Sequence, residues 1–381
     1  MKIIHLVLGK ANPDRMNGVN KLVFEMLSTQ HSLGYDVELW GITPNATHNY
    51  PDRIFNTRLF QSISNKLNIH SGLKEAIANL DSDTIFHMHG SFIPEFFHVS
   101  RLLVKQQIAY VYTPHGALAP AAMRNGYWKK WLYLKLFEGQ LITDAACLIA
   151  TGFSVYDNSI NLTKPKKRAL IPNGQPLLEK RSISKADNKL IFGYCGRITL
   201  SHKGLDLLLK GFREYRKKGG MGEIHFIGDG KEMLEFKILA KKLKVYDHIK
   251  LHGAQYGEEK FKFLSKFDVF VHTSRNEGFP AAVLEAAALG IPVMISRATN
   301  VWDFIEKYKA GLLVEPNTPE EIGKVMLSYE RKYDDGALEA IGSQGQKMIK
   351  ELFDWEVICK KLYKEYYAAC TKQSIPESLY S

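Results

Sequence analysis

The sequence predicts an α/β protein made of two Rossmann-like, parallel-sheet domains. Short β-rich runs alternate with longer segments of helical periodicity, the pattern of parallel strands joined by crossover helices. The alternation occurs as two series, separated by a stretch broken by proline, glycine and charge. At 381 residues, 45% of them hydrophobic, the chain can bury a large core and exceeds the length at which single domains usually stop growing.

The first series opens with "KIIHLVLG", one strand's worth of apolar residues. A polar loop leads to Gly18, after which Val19, Leu22, Val23, Met26 and Leu27 recur at helical spacing until Gly34 stops the helix. "DVELWGI", "TIFHMHG", "IAYVYTPHG" and "AACLIATG" supply further strands, two of them ending in His-Gly. The linker candidate follows within "RALIPNGQPLLEKRSISKADNKLIFGYCG", interrupted at Pro172, Gly174 and Pro176. The second series contributes "KLIFGYCG", "EIHFIGDG", "HIKLHG", "DVFVHTS", "PVMIS" and "AGLLVEP" with helices between them. These patterns give a first domain over 1–172, a linker over 173–188 and a second domain over 189–354, with a helical segment left over from Trp355.

Composition narrows the function. No signal-peptide pattern and no apolar run of membrane-spanning length is present, so a cytoplasmic protein is expected. Cys147, Cys195, Cys359 and Cys370 lack zinc-type spacing and the density of a disulfide scaffold, and read as reduced. A net charge of +11 implies anionic company, leaving nucleic acid, an acidic membrane surface and a phosphorylated substrate all open.

Parallel sheets collect ligands at the carboxyl ends of their strands, where loops enter helix N-termini bearing unpaired N–H groups. In "GRITLSHKGLDLL", Arg197 follows a strand and Lys203 precedes a glycine-opened helix, a pair of cations suited to a diphosphate. Solvated surface charge is the alternative, and position at a strand end argues against it. In "NEGFPAAVLE", Glu277 stands just before a helix and Glu285 inside it. A carboxylate buried at Glu285 needs a partner, which two ribose hydroxyls could supply; a capped or surface glutamate is the bland alternative.

Glu277 and Glu285, with seven residues between them in "EGFPAAVLEAAALGIPV", together with "GRITLSHKG", "TPHGAL", "IPNG" and the C-terminal "FDW", resemble the retaining GT-B glycosyltransferases with a paired-glutamate motif. That family includes bacterial enzymes of lipopolysaccharide and exopolysaccharide assembly, and the resemblance runs along essentially the whole chain. It implies two Rossmann-like domains facing across a cleft, with the last segment, 355–381, crossing back to the first. It implies Gly18, Arg197 and Lys203 at the donor diphosphate, Glu285 at the ribose, and Gly253 and Ala254 bordering the base. Glu277 with Gly278, Phe279 and Pro280 would contact the transferred sugar, and His115 would face the reacting centre. The family commonly has a Gly-Gly pair where this chain has Asn17-Gly18, which changes the expected loop geometry.

His115 could hydrogen-bond a sugar hydroxyl or a phosphate, against a turn-stabilising role; His89 is balanced between the two and His87 reads as packing. Asp81-Ser82-Asp83 spells a metal-binding Asp-x-Asp, but it precedes a strand and so lies at the wrong end of the sheet. No metal and no cofactor are expected, because Arg197 and Lys203 can neutralise the leaving phosphate. A double displacement would need a carboxylate beneath the anomeric carbon, and none can be nominated; the resemblance implies same-face transfer with retention, the departing phosphate helping to take the acceptor's proton.

"RNGYWKKWLYLKLFEG" interleaves Trp128, Trp131 and Tyr133 with lysines, and "KPKKR" spans Lys164 to Arg168. Both suit a peripheral contact with an anionic membrane face, or alternatively a helix with one buried side. The expected activity is hexose transfer from a nucleotide-sugar, a UDP-sugar such as UDP-glucose, to a lipid-linked or polysaccharide precursor. A sugar-nucleotide epimerase is the alternative enzyme, and a basic nucleic-acid-binding protein the non-enzymic one, although the basic residues form no nucleic-acid motif.

Overall fold

The structure is a computed structural model that describes residues 1–12, 18–47, 50, 53–65, 68–124, 126–178, 189–275, 277 and 279–368. The chain divides into two compact units, Met1–Gly174 with Trp355–Ser381, and Gln175–Asp354.

The first unit holds a seven-stranded sheet: β1 Lys2–Leu8, β2 Val37–Thr43, β3 Asn56–Gln61, β4 Thr84–His89, β5 Tyr110–Thr113, β6 Cys147–Ala150 and β7 Arg168–Leu170. Their order is β3-β2-β1-β4-β5-β6-β7, with all neighbours parallel. β2 and β4 are buried along their whole length because helices cover both faces, which is why they read as unbroken apolar runs. One layer contains the Gly18–Ser32 helix and the C-terminal segment. There Trp355 Nε1 donates to Glu25 Oε2 at 3.1 Å, Tyr363 stacks on Tyr35, and Tyr367 is fully buried. Gly174 makes room for that return, since a Cβ there would lie 2.1 Å from the Trp355 ring.

The second unit holds β8 Ile191–Cys195, β9 Glu223–Ile227, β10 Ile249–Leu251, β11 Val269–His272, β12 Val293–Ser296 and β13 Gly311–Val314. Their order, β10-β9-β8-β11-β12-β13, is again wholly parallel. Chain direction across each sheet reverses beside its first strand, at β1/β4 and at β8/β11. Such switch points open crevices at the carboxyl strand ends.

Two strands depart from the sequence reading. β7 lies at the start of the stretch assigned to the linker candidate, and its pairing to β6 runs from Leu148↔Arg168 to Ala150↔Leu170. β3 is an edge strand with most positions exposed or half-exposed, so it carries no apolar run. Cys147, Cys195 and Cys359 are buried thiols, and Cys370 lies outside the described residues. Among the described residues no helix is long and apolar enough to cross a membrane.

Candidate active site

In the second unit, Gly204 shapes the loop between β8 and the helix that follows it. It adopts a left-handed φ of +66° at the start of the Leu205–Lys217 helix, and a Cβ there would stand 2.0 Å from the Thr273 carbonyl oxygen. Only glycine lets the loop after β8 lie this close to the loop after β11. Further bonds lace the two loops together: Ser274 Oγ donates to the His202 carbonyl at 3.0 Å, and Arg275 grips both Asp206 oxygens at 2.6 and 2.8 Å.

Across this junction Lys203 Nζ pairs with Glu277 Oε2, and His272 Nε2 meets the same oxygen at 3.2 Å. Burial alone would raise the Glu277 carboxyl, but the His272 hydrogen bond and the Lys203 charge outweigh it and hold the group at about 2. Burial lowers His272 below the usual imidazole range. A neutral His272 therefore donates through Nε2. The Glu277 backbone is also fixed, its N–H donating to Ala298 at 3.1 Å and its carbonyl accepting from Asn300 Nδ2 at 3.0 Å.

Glu285 is 7% exposed in the Ala281–Ala288 helix, and its Oε1 lies 2.6 Å from Lys260 Nζ. Lys260 therefore partners this acid within the second unit, so its burial does not by itself call for a ribose. Both charges act on Cys195 at the end of β8: burial, with Glu285 adding to it and Lys260 opposing, pushes the thiol up to about 12. Arg197 is exposed just beyond, its carbonyl accepting from Tyr194 Oη at 3.0 Å. The structure thus gathers Arg197, Lys203, Glu277 and Glu285 around the carboxyl ends of β8 and β11.

Gly253 and Ala254 lie exposed after β10, with the Gly253 carbonyl accepting from Gly228 N–H at 2.7 Å. Pro280 caps the Ala281–Ala288 helix, while the Phe279 ring turns toward Phe353 in the core. Gly278 and Asn17 lie outside the described residues. His272 and Lys260 are the residues that sequence reasoning missed; the first closes an apolar strand run, and the second sits in a helix that reads as ordinary charged surface.

In the first unit, Gly18 is the exposed first residue of its helix. His5, His87 and His89 line one face of β1 and β4, where His5 stands in register with His87. His115, with a left-handed φ of +47°, reaches His89 Nδ1 through Nε2 at 3.0 Å, and its buried Nδ1 has no partner among the described residues. Burial lowers all four imidazoles, His5 and His115 to about 4. His87 joins Tyr367 Oη at 2.6 Å and Thr113 Oγ1 at 2.7 Å, consistent with packing. Asp81 and Asp83 precede β4, at the amino end of that strand.

The aromatic segment forms a helix, Tyr127–Tyr133, followed by a wider turn over Leu134–Glu138. Leu134 and Glu138 face inward, whereas Trp128 is 76% exposed beside exposed Trp131, Leu132 and Leu136. The basic cluster is largely engaged elsewhere: Arg168 lies over Tyr156 and Lys167 over Tyr366.

Two parallel-sheet Rossmann-like units define the GT-B class of α/β proteins. Residues 178–348 match the family model described as glycosyl transferases group 1, and residues 16–177 match that of glycosyltransferase family 4. Together the two glycosyltransferase models span residues 16–348, and the chain is a GT-B glycosyltransferase whose second unit matches the group 1 model. It is 24% identical over 315 residues to an uncharacterized glycosyltransferase of Haemophilus influenzae, spanning 81% of this chain and 85% of that one. It is 25% identical to the capsular polysaccharide biosynthesis glycosyltransferase CapM of Staphylococcus aureus, over 50% of this chain and 49% of that one. Among solved structures, Anabaena HepE in complex with UDP superposes with a TM-score of 0.74 at 16% identity, covering 95% of this chain and 98% of that one.

Proposed function

We propose that this chain is a retaining glycosyltransferase that moves a hexose from a UDP-sugar, with UDP-glucose as the first candidate, to a lipid-linked or polysaccharide precursor. The observation that carries the reading is the Lys203–Glu277–His272 cluster at the β8/β11 switch point, with Arg197 beside it and Lys260–Glu285 behind. Fixed cations at strand ends suit a departing diphosphate. The HepE structures with UDP and with UDP-glucose support the donor class, and the CapM description supports the acceptor class.

On binding, the diphosphate takes charge-assisted bonds from Arg197 and Lys203. Lys203 then divides its attention between phosphate and Glu277, whose carboxylate stays ionised and lies where it can meet the transferred sugar. Glu285 exchanges part of its Lys260 contact for the ribose hydroxyls. The acceptor attacks from the face that the diphosphate leaves, giving retention, and the departing phosphate takes the acceptor proton. Catalysis rests on positioning and on neutralising the leaving group, with no metal required. The exposed Trp128 surface keeps the enzyme on the membrane that holds a lipid-linked acceptor.

A thermal-shift screen of nucleotides and nucleotide-sugars, followed by product analysis with and without EDTA, tests the reading. Stabilisation by UDP and an α-linked product from an α-linked UDP-sugar, both insensitive to EDTA, are expected. Isomerised donor without a new glycosidic bond would favour the epimerase, and loss of activity on chelation would reinstate a metal.

A further inference from the structure

A polar line runs through the otherwise apolar interior of the first unit. His115 Nε2 meets His89 Nδ1 at 3.0 Å, His89 Nε2 meets His5 Nδ1 at 2.9 Å, and His5 Nε2 meets Gln30 Oε1 at 2.8 Å. Gln30, His5 and His89 are at most 1% exposed. Each contact needs one donor and one acceptor, and a neutral imidazole offers one of each. Burial disfavours the protonated form of all three histidines, so the line is neutral.

Neutrality and geometry together give the line a direction. The Gln30 oxygen can only accept, so His5 carries its proton on Nε2 and accepts at Nδ1. His89 then donates through Nε2 and accepts at Nδ1. His115 must in turn donate through Nε2, which leaves a lone pair on its Nδ1. Rotating the Gln30 amide by half a turn would present its NH2 instead and reverse every proton along the line. The amide thus determines which ring nitrogen is bare three contacts away.

We propose that Gln30, acting through His5 and His89, fixes His115 as the Nε2–H tautomer, so that Nδ1 accepts a hydrogen bond from a sugar hydroxyl. The hydroxyl as partner rests on the glycosyltransferase reading; the tautomer does not. Two features of His115 point to a ligand: its buried Nδ1 lacks any partner among the described residues, and its backbone holds a left-handed φ of +47° that a non-glycine residue rarely adopts. Donation down the line enriches the His115 ring in electron density and strengthens Nδ1 as an acceptor. A fully ionised phosphate oxygen offers only lone pairs, so this nitrogen selects a hydroxyl over the diphosphate. Gln30, His5 and His89 are positioning residues, since only His115 would touch substrate.

The same histidines could be read as a cation site, because His5, His87 and His89 each bring a ring nitrogen within 4.8 Å of the others. His87 is already committed to Tyr367 and Thr113, and a cation shared with His5 and His89 would displace the contact between them.

Ring-nitrogen NMR of the histidine-labelled full chain tests the proposal. The expected result is a pyrrole-type Nε2 and a pyridine-type Nδ1 on His115. Gln30→Met and His5→Phe should each turn those signals toward a mixture of tautomers. Turnover with a UDP-sugar should fall about tenfold while UDP affinity stays unchanged, the loss of roughly one hydrogen bond in the transition state. Near-UV circular dichroism identifies which variant remains folded, and the wild-type signals decide the direction even if neither does. A protonated Nδ1 in the wild-type protein, an unchanged tautomer in a folded variant, or stoichiometric zinc in the purified chain would overturn the proposal. The expected tautomers without transfer from any nucleotide-sugar would uphold the histidine line and remove the glycosyltransferase reading instead.

Discussion

Lys260 Nζ stands 2.6 Å from Glu285 Oε1, joining two helices of the second unit through side chains that are 18% and 10% exposed. Neither charge could sit there alone without a desolvation cost. Removing one partner from such a pair is more damaging than replacing both. Lys260→Met should therefore cost about 1–3 kcal/mol of stability, discounted for the partial exposure of the lysine, and Lys260→Met with Glu285→Gln should recover part of it. Chemical denaturation of the two single variants and the double variant measures the coupling. Additive losses would mean that the pair contributes nothing as a pair.

The reach of the sequence reading follows from burial. Strands covered on both faces, such as β2, β4 and β11, announce themselves as apolar runs. β3 has one side open to solvent, and three-residue β7 is hidden between a basic cluster and a proline-broken stretch, so neither leaves a periodic signal. Strand-end position was enough to mark Arg197, Lys203 and Glu277. Their pairings were not legible, because Lys203 and Glu277 are 74 positions apart and meet only when β8 and β11 become neighbours. The partner of Glu285 was missed for the same reason: only the fold distinguishes Lys260 from the solvated lysines around it.

Arg197→Ala and Lys203→Ala should both weaken UDP binding, by about 1.5–3 kcal/mol each for a lost charge-assisted bond. They differ in what they leave behind. Lys203→Ala also strips Glu277 of its cation, so its stability should fall, whereas exposed Arg197 can be removed with little change in melting temperature. Calorimetry with UDP alongside thermal melts separates the two. Wild-type UDP affinity in both variants would place the diphosphate elsewhere.

Glu138 is a buried acid of the first unit. Burial pushes its carboxyl up to about 7, against hydrogen bonds from Tyr112, Ser91 and the Phe92 N–H that lower it. The folded state thus holds this proton more tightly than the unfolded chain, whose carboxyl titrates near 4.5. The associated stability is fully present below pH 4.5 and is lost as pH rises through about 7. Glu138→Gln cannot ionise, so relative to wild type it should gain about 1–3 kcal/mol between pH 5 and 8. Histidine titrations are common to both proteins and cancel in the difference. A pH-independent difference in denaturation free energy would show that the carboxyl is not perturbed.

The exposed Trp128, Trp131, Leu132 and Leu136, flanked by exposed Lys129 and Lys135, combine apolar insertion with charge attraction. Lys130 is turned inward, donating to the Ala122 carbonyl at 2.6 Å, and should matter less. Trp128→Ala with Trp131→Ala should reduce partition onto vesicles containing anionic lipid by about tenfold or more, while UDP affinity stays unchanged. Co-sedimentation with anionic and zwitterionic vesicles reads both the tryptophan and the charge contribution. Equal partition of wild type and variant would leave the aromatic surface without a membrane role.

Glu277 stands just before the Ala281–Ala288 helix and Glu285 within it; they pair with different cations, and the proposed donor would divide between them in the same way. Glu285→Gln keeps the shape but weakens acceptance from two ribose hydroxyls, so affinity should drop for UDP and for the intact UDP-sugar alike. Glu277→Gln should spare UDP affinity and depress turnover, because its proposed contact is to the transferred sugar as positive charge develops at the anomeric carbon. Held at about 2 by His272 and Lys203 against its burial, the Glu277 carboxylate is ionised at any working pH. The turnover ratio of wild type to Glu277→Gln should therefore stay flat from pH 6 to 9, with no limb belonging to this group. UDP calorimetry followed by initial rates across that range checks both halves. Equal UDP losses in the two variants would end the division of labour, and unchanged turnover in Glu277→Gln would make the Lys203–Glu277–His272 cluster a structural clasp between the loops after β8 and β11.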